Sequence, residues 1–443
     1  MHPFASYVLR NYYKATGWNE DNLYANITRS SSAILDFTVP KGLHLNVSKS
    51  PNALFKTTYS MTAMPSLSGS VGYIFTSCDL DVKSSRDVRF KNMIDRFMVY
   101  DQPRVPEAKE EEWLAGERVD TRDYLLYGRF YLPAGRLDAL YSTRLTPTLQ
   151  ALVAAISEHP TSLSSANRKN TDPSNIMFNL QHDVGKWCTE YSWSAEDGMW
   201  GVRVLHNFGR IASDSPEELS GNGAGPSKTS VKRIDEEDAI EGGLKGRLSM
   251  GAEFYFSAKE RSAGVSTGIR FSTLPDATPP SFQVSPPSSS PLAKVATPPP
   301  RWNAYQPPTT ITALFNPMLG HMSGAYAARV SRDLSLASRF DFNMYSYESE
   351  WTMGAEWWLR RAPSTEADEG TEPIPSLASD PTNTTNDVIG VVKARASTSQ
   401  NVSLMWEGRL RNMLVSLGVV SDLSSRTKPI KAIGLELSYF SSG

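Results

Sequence analysis

Alternate positions near the end of the chain differ in kind. In KAIGLELSYFSSG (Lys431–Gly443), Ile433, Leu435, Leu437 and Tyr439 share one face of an extended strand, and Gly434, Glu436 and Ser438 share the other. The same alternation recurs upstream. GMWGVRVLHNF sets Trp200, Val202, Val204 and Phe208 against Gly201, Arg203 and Asn207. RLSMGAEFYFS sets Leu248, Met250, Ala252, Phe254 and Phe256 against Ser249, Gly251, Glu253 and Tyr255. GVSTGIRFS, EWTMGAEWWLR and NVSLMWEGRL follow suit. Period two sustained over roughly eight to eleven residues predicts strands, not helices.

Along the whole chain the pattern predicts about nineteen strands. They run Gly42–Lys49, Ala53–Ala63, Leu67–Ser77, Arg122–Leu132, Leu137–Leu145, Thr148–Ser157, Asn175–Asp183, Lys186–Ser194, Met199–Phe208, Lys245–Ala258 and Gly264–Thr273. Eight more begin near Thr309, His321, Leu334, Glu348, Asp387, Asn401, Asn412 and Pro429. Several carry a glycine two residues before a charge: Gly201 and Arg203, Gly251 and Glu253, Gly268 and Arg270, Gly354 and Glu356, Gly434 and Glu436. Both members project from the same face, so that face is polar and glycine-spotted while the other is aromatic and aliphatic.

A soluble sandwich buries such apolar faces against each other; a membrane barrel turns them to lipid and lines its lumen with the polar face. Alternation alone fits both. Strand length favours the barrel, since a tilted strand of about 9–11 residues crosses the hydrocarbon core. So do the Trp, Phe and Tyr near strand ends, which form an interfacial girdle in such barrels. Low mean hydropathy, −0.36, is what strands with one wet face give. The expected fold is an all-β, transmembrane, up-and-down β-barrel over residues 42–440, with a lead-in at 1–41 and a tail at 441–443.

Long inserts near 78–121, 209–244, 274–308 and 362–386 follow the third, ninth, eleventh and fifteenth expected strands. Connections alternate sides in such a barrel, so all four should leave from one rim. Their polar and proline-rich composition predicts that none packs a core, that the first holds a short helix, and that the third is disordered or polyproline II. The lead-in reads differently. In PFASYVLRNYYKATGW, Phe4, Tyr7, Val8 and Tyr12 share a face at helical spacing, with Pro3 tolerated in the first turn. Such a helix either plugs the lumen or lies on the membrane; without a Lys/Arg-rich polar face it is expected in the lumen.

Charge and chemistry add mainly exclusions. A net charge of −2 gives no footprint for nucleic acid, so no nucleic-acid partner is expected. Two cysteines, Cys78 and Cys188, support neither a disulfide framework nor a cysteine-rich zinc site. The six histidines are scattered without metal-ligand spacing or a nucleophile motif, so no cofactor, metal or catalytic role is expected. SGNGAGPSKTS lacks the full phosphate-loop pattern and reads as a linker. The N-terminus lacks the basic start and apolar stretch of a secretory signal. Charges assigned to the lumen, Arg203, Glu253, Arg270, Glu356 and Glu436 with Arg339, Glu407 and Arg409, are mixed in sign. Pairing across strands and with the helix is the simpler expectation; an ion pathway is the other. Tyr73 and Phe75, on one face of GSVGYIFTS, suit either a lipid girdle or a partner-docking patch.

Two blocks, YKATGWNEDNLYANITRSSSAILDFTVPKGL (Tyr13–Leu43) and YGRFYLPAGRLDALYSTRLTPTLQ (Tyr127–Gln150), resemble the fungal mitochondrial distribution and morphology protein 10 family, outer-membrane barrels of the mitochondrial porin superfamily. The resemblance implies nineteen strands closing in parallel around an N-terminal segment. It implies a sorting signal on the last strand, whose fixed places fall on Gly434, Leu437 and Tyr439; the polar place falls on Ala432, with Lys431 one earlier. It further implies location in the mitochondrial outer membrane, contact with membrane lipid, and two jobs. One is anchoring the endoplasmic reticulum–mitochondrion encounter structure through its tether subunits, with phospholipid exchange and mitochondrial morphology depending on it. The other is joining the sorting and assembly machinery core, with translocase subunits as transient partners. A metabolite-conducting porin is the alternative function.

Overall fold

The computed structural model describes residues 2–100, 105–106, 113–114, 117–118, 122–157, 174–209, 246–273, 307–360, 388–424 and 429–442. Nineteen strands form one sheet. In chain order they are β1 (Gly42–Ser50), β2 (Phe55–Met64), β3 (Ser68–Thr76), β4 (Tyr124–Leu132), β5 (Leu137–Thr146), β6 (Leu149–Ser157), β7 (Ser174–Asp183), β8 (Trp187–Ser194), β9 (Met199–Asn207) and β10 (Gly246–Ser257). Then come β11 (Ser262–Thr273), β12 (Thr309–Asn316), β13 (His321–Arg329), β14 (Leu334–Asn343), β15 (Ser349–Arg360), β16 (Val388–Ser397), β17 (Asn401–Leu410), β18 (Met413–Asp422) and β19 (Ile430–Ser442). A separate ribbon, Trp113–Leu114 with Glu117–Arg118, lies in the first insert.

Each strand pairs antiparallel with the next, as in β9–β10 (Arg203 opposite Glu253) and β18–β19 (Gly418 opposite Gly434). An odd count leaves the first and last strands running the same way. β1 and β19 accordingly pair in parallel, from Gly42 opposite Gly434 to Ser50 opposite Ser442, and the sheet closes with no free edge. The last strand thus extends to Ser442, past the expected boundary at residue 440, because Ser441 and Ser442 still find partners in Lys49 and Ser50.

Exposure separates the faces as the alternation requires. Trp200 is 59% exposed, and Phe254, Tyr326, Met353, Trp357 and Leu404 are likewise open on the outer wall. Across the register these outward residues meet one another, as in Trp200 with Phe256 and Phe340 with Trp351, forming an apolar belt. Their alternates, among them Asn46, Gln181, Glu190, Thr312 and Ser403, are buried facing inward. Among the described residues no helix is long and apolar enough to cross a membrane.

The long connections after β3, β9, β11 and β15 leave from the same rim, which also carries the C-terminal end of β19. Most of residues 209–244, 274–308 and 362–386, including SGNGAGPSKTS and the polyproline II expectation, lie outside the described residues. The first insert corrects the expectation that no insert packs a core. Leu80, Val82, Val88, Phe90, Ile94, Phe97 and Tyr100 are all buried, around a 3-10 turn at Phe90–Asn92. The apolar partners they need are supplied by the barrel's inner wall and the lead-in.

Candidate functional site

The lumen is occupied by the chain itself. Helix α1 (Pro3–Thr16) is capped by sequence-local devices. His2 Nδ1 accepts from the Phe4 N–H at 3.2 Å, and Pro3 holds a first-turn place where its missing N–H costs nothing. Gly17, at φ +69°, ends the helix in the left-handed conformation, and the Trp18 N–H donates to the Tyr13 carbonyl at 2.9 Å. Phe4, Tyr7, Val8 and Tyr12 are all buried, and so are Ala5 and Tyr13, so the helix is covered on more than one face.

Two things cover it. From the wall come Ile74 of β3, Leu125 and Tyr127 of β4, Leu414 of β18 and Phe440 of β19; from the first insert come Leu80, Val82, Val88, Phe90 and Ile94. The Phe440 ring lies 5.2 Å from that of Phe4 and 6.0 Å from that of Tyr7. The insert is pinned across the top, with Ser85 N–H donating to the Phe440 carbonyl at 2.9 Å. Arg144 of β5 caps the Thr16 carbonyl at the helix end. Burying a large apolar side chain contributes about 1.5–3 kcal/mol, so this cluster is held far more firmly than a helix floating in a wet pore.

Past Gly17 the lead-in travels along the inner wall. Asn22 Nδ2 donates to Asp183 Oδ1 at 2.7 Å and to the Gly185 carbonyl at 3.0 Å, while Asn207 Nδ2 donates to Asn22 Oδ1 at 2.6 Å. Tyr24 and Ile27 then pack with Cys188 and Leu205. Helix α2 (Arg29–Leu35) lies against β13–β16. Only seven residues long, it is too short to persist alone in water; Lys393 Nζ donates to its Ala33 carbonyl at 3.1 Å and Arg395 to its Leu35 carbonyl at 2.8 Å. Cations there also suit the negative end of the helix dipole.

The repeated glycines make room for this path. A Cβ on Gly251 would come within 2.4 Å of Tyr24 Cδ2, and one on Gly354 within 2.9 Å of Leu35 Cδ2. Gly268 faces Leu314, Ile27 and Tyr24 in the same way. The alternation predicts that the polar, glycine-spotted face meets water; over these strands it meets protein instead.

The charges named from the sequence all project inward. Arg203 and Glu253 form an ion pair at 2.7 Å. Arg270 stacks over Tyr100, 4.2 Å from the ring centroid; burial pushes the Tyr100 hydroxyl up to about 12, so the ring stays neutral. Glu356 accepts from the Phe97 N–H at 3.2 Å and from Trp358 Nε1 at 2.7 Å. Glu436 accepts from Asn46 Nδ2 at 2.6 Å. Arg339 holds Asp36 at 2.8 Å, and Arg409 caps the Arg86 carbonyl at 2.9 Å. Most of these groups fasten the lead-in or the insert to the wall rather than line an open path.

On the outside, Tyr73 is 56% exposed and lies over Gly128, while Phe75 is half-buried against Tyr124, ring centroids 6.1 Å apart. Of the last-strand residues, Leu437 and Tyr439 face outward opposite Leu45 and Val47 of β1, and Gly434 faces inward against the lead-in. Among the described residues no three His, Cys, Asp or Glu side chains group as metal ligands. Sequence reasoning missed Phe440, Tyr24, Ile27, Leu35, Phe97 and Tyr100. The available signal was the run of apolar residues from Leu80 to Tyr100, set between charges without a regular period.

The family model described as mitochondrial distribution and morphology protein 10 matches residues 1–386 and 379–442. A protein of that name from Laccaria bicolor is 77% identical over 443 residues, covering all of both chains. One from Cryptococcus neoformans is 40% identical with 99% of each chain covered, and one from Phaeosphaeria nodorum is 36% identical with both covered in full. With a match along its whole length, a closed nineteen-strand barrel and an N-terminal helix inside it, the chain belongs to the mitochondrial distribution and morphology protein 10 family.

Proposed function

We propose that this barrel sits in the mitochondrial outer membrane as a non-catalytic scaffold. It anchors the endoplasmic reticulum–mitochondrion tether, where phospholipids are exchanged, and joins the sorting and assembly machinery for late steps in building the outer-membrane translocase. The observation that carries this reading is the filled lumen: α1, α2 and residues 78–100 pack against the inner wall around much of its circumference. A barrel whose interior is spent on its own chain offers partners its outer wall and its loops. The four longest connections leave one rim, which gives that side reach, and exposed Tyr73 with half-buried Phe75 beside it supplies aromatic surface of the kind that anchors interfaces.

Planar-bilayer recording of the purified full chain tests this. A scaffold gives little or no steady conductance, rising when residues 2–41 are removed. A large, stable conductance that ignores deletion of residues 1–30 would establish a metabolite porin instead. For docking, Tyr73→Ala with Phe75→Ala should weaken co-purification with tether or assembly-machinery subunits while leaving barrel abundance unchanged.

A further inference from the structure

Three glycines stand side by side where the barrel closes. Gly418 of β18 is opposite Gly434 of β19, and Gly434 is opposite Gly42 of β1. The lead-in crosses this row from the inside. A Cβ on Gly418 would lie 2.4 Å from Val39 Cγ1, and one on Gly434 would lie 2.1 Å from the Pro40 carbonyl oxygen and 2.7 Å from the Lys41 nitrogen. Gly42, at φ +84°, then turns the chain into β1, a conformation glycine adopts without strain.

This arrangement bears on the least assisted pairing in the molecule. Neighbouring antiparallel strands are joined directly by their connections, but β1 and β19 lie at opposite ends of the chain and meet in parallel. A loop of that length closes at a large entropic cost unless something holds its ends together first. The lead-in can do this. Once Val39–Lys41 rests on the inner face of β18–β19, the next residue, Gly42, is already level with Gly434.

We propose that the inner face of β18–β19 at Gly418 and Gly434 is a docking site for the chain's own extended lead-in, Val39–Lys41, occupied before the seam pairs. Gly434 and Gly418 are then positioning residues for closure. This role needs no partner protein and is separate from recognition of the last strand by sorting machinery. Tyr24 and Ile27 on Gly251 and Gly268, and Ile34 and Leu35 on Gly354, form the upstream part of the same track.

The test refolds the purified full chain in detergent with no other protein present. Cysteines replace Val47 and Tyr439, which face outward directly opposite each other across the seam, and serine replaces Cys78 and Cys188. Oxidative cross-linking then reports closure. With the native glycines the pair should cross-link efficiently. Gly434→Ala, which meets backbone, should lower the yield at least tenfold. Gly418→Ala, which meets one side chain, should lower it less, and Val39→Gly in the same chain should restore it. Gly324→Ala is the control, because a Cβ there meets nothing within 4 Å. Native cross-linking of Gly434→Ala under these conditions overturns the proposal. If Gly434→Ala yields no folded barrel, the Gly418→Ala and Val39→Gly pair decides: failure of rescue is equally fatal.

Discussion

Phe440 joins the last strand to the first helix, and replacing it with alanine separates two contributions that the barrel otherwise combines. Its ring is buried, 5.2 Å from Phe4 and 6.0 Å from Tyr7. Its backbone lies in the β1–β19 ladder opposite Ser48, and alanine keeps that ladder. Truncating a buried Phe costs about 3–5 kcal/mol, part of which is the loss of ring–ring contacts worth about 0.5–1.5 kcal/mol each. The lower end applies here because the cluster retains Ile74, Leu125 and Leu414 around the helix. About 3 kcal/mol removed from the α1–wall interface corresponds to roughly a hundredfold faster local opening. Hydrogen exchange in detergent should therefore show faster exchange of amides in Pro3–Thr16 by about that factor, while amides of β8–β12 keep their protection. Combining Phe440→Ala with Phe4→Ala should cost less than the sum of the two, since they share one contact. Unchanged α1 protection, or equal loss across all strands, would refute the claim that Phe440 fastens the helix to the wall.

Two other perturbations probe separate parts of the lumen. Asp183→Ala removes the acceptor for both Asn22 Nδ2 and the Gly185 N–H, each at 2.7 Å; stranding buried donors costs about 1–3 kcal/mol each, and limited proteolysis should cut near residues 20–26 faster than in the parent. Arg203→Ala and Glu253→Ala should each lower the urea midpoint, with a coupling of about 1 kcal/mol in the double-mutant cycle, because the pair is only partly buried.

Period-two alternation makes the strands and their two faces legible residue by residue, and strand length with the aromatics near strand ends is what points from those strands to a barrel. The parallel closure followed from the odd count, and the single rim for the four long connections followed from their parity. What occupies the lumen was not legible in the same way. Residues 78–100 carry Leu80, Val82, Val88, Phe90, Ile94 and Phe97 among charges at irregular spacing. Such a stretch has no amphipathic face of its own, because half of its core belongs to wall strands distant in sequence. The glycines pose a similar problem. Their spacing from the charges marks the inward face, but the atoms that require a glycine at Gly251, Gly354 or Gly434 come from Tyr24, Leu35 and Pro40. Helix α2 went unread for a related reason: RSSSAIL has little helical drive, and its carbonyls are capped by Lys393 and Arg395 of β16.

A scaffold of this kind requires that the aromatic and aliphatic face of each strand meets lipid. A spin-label scan through Met199–Asn207 of β9 in lipid bilayers, reading collision with oxygen dissolved in the acyl chains, tests that directly. Accessibility should alternate, with maxima at Trp200, Val202 and Val204 and minima at Gly201, Arg203 and Leu205. Maxima on the odd-numbered positions, or a flat profile, would contradict it.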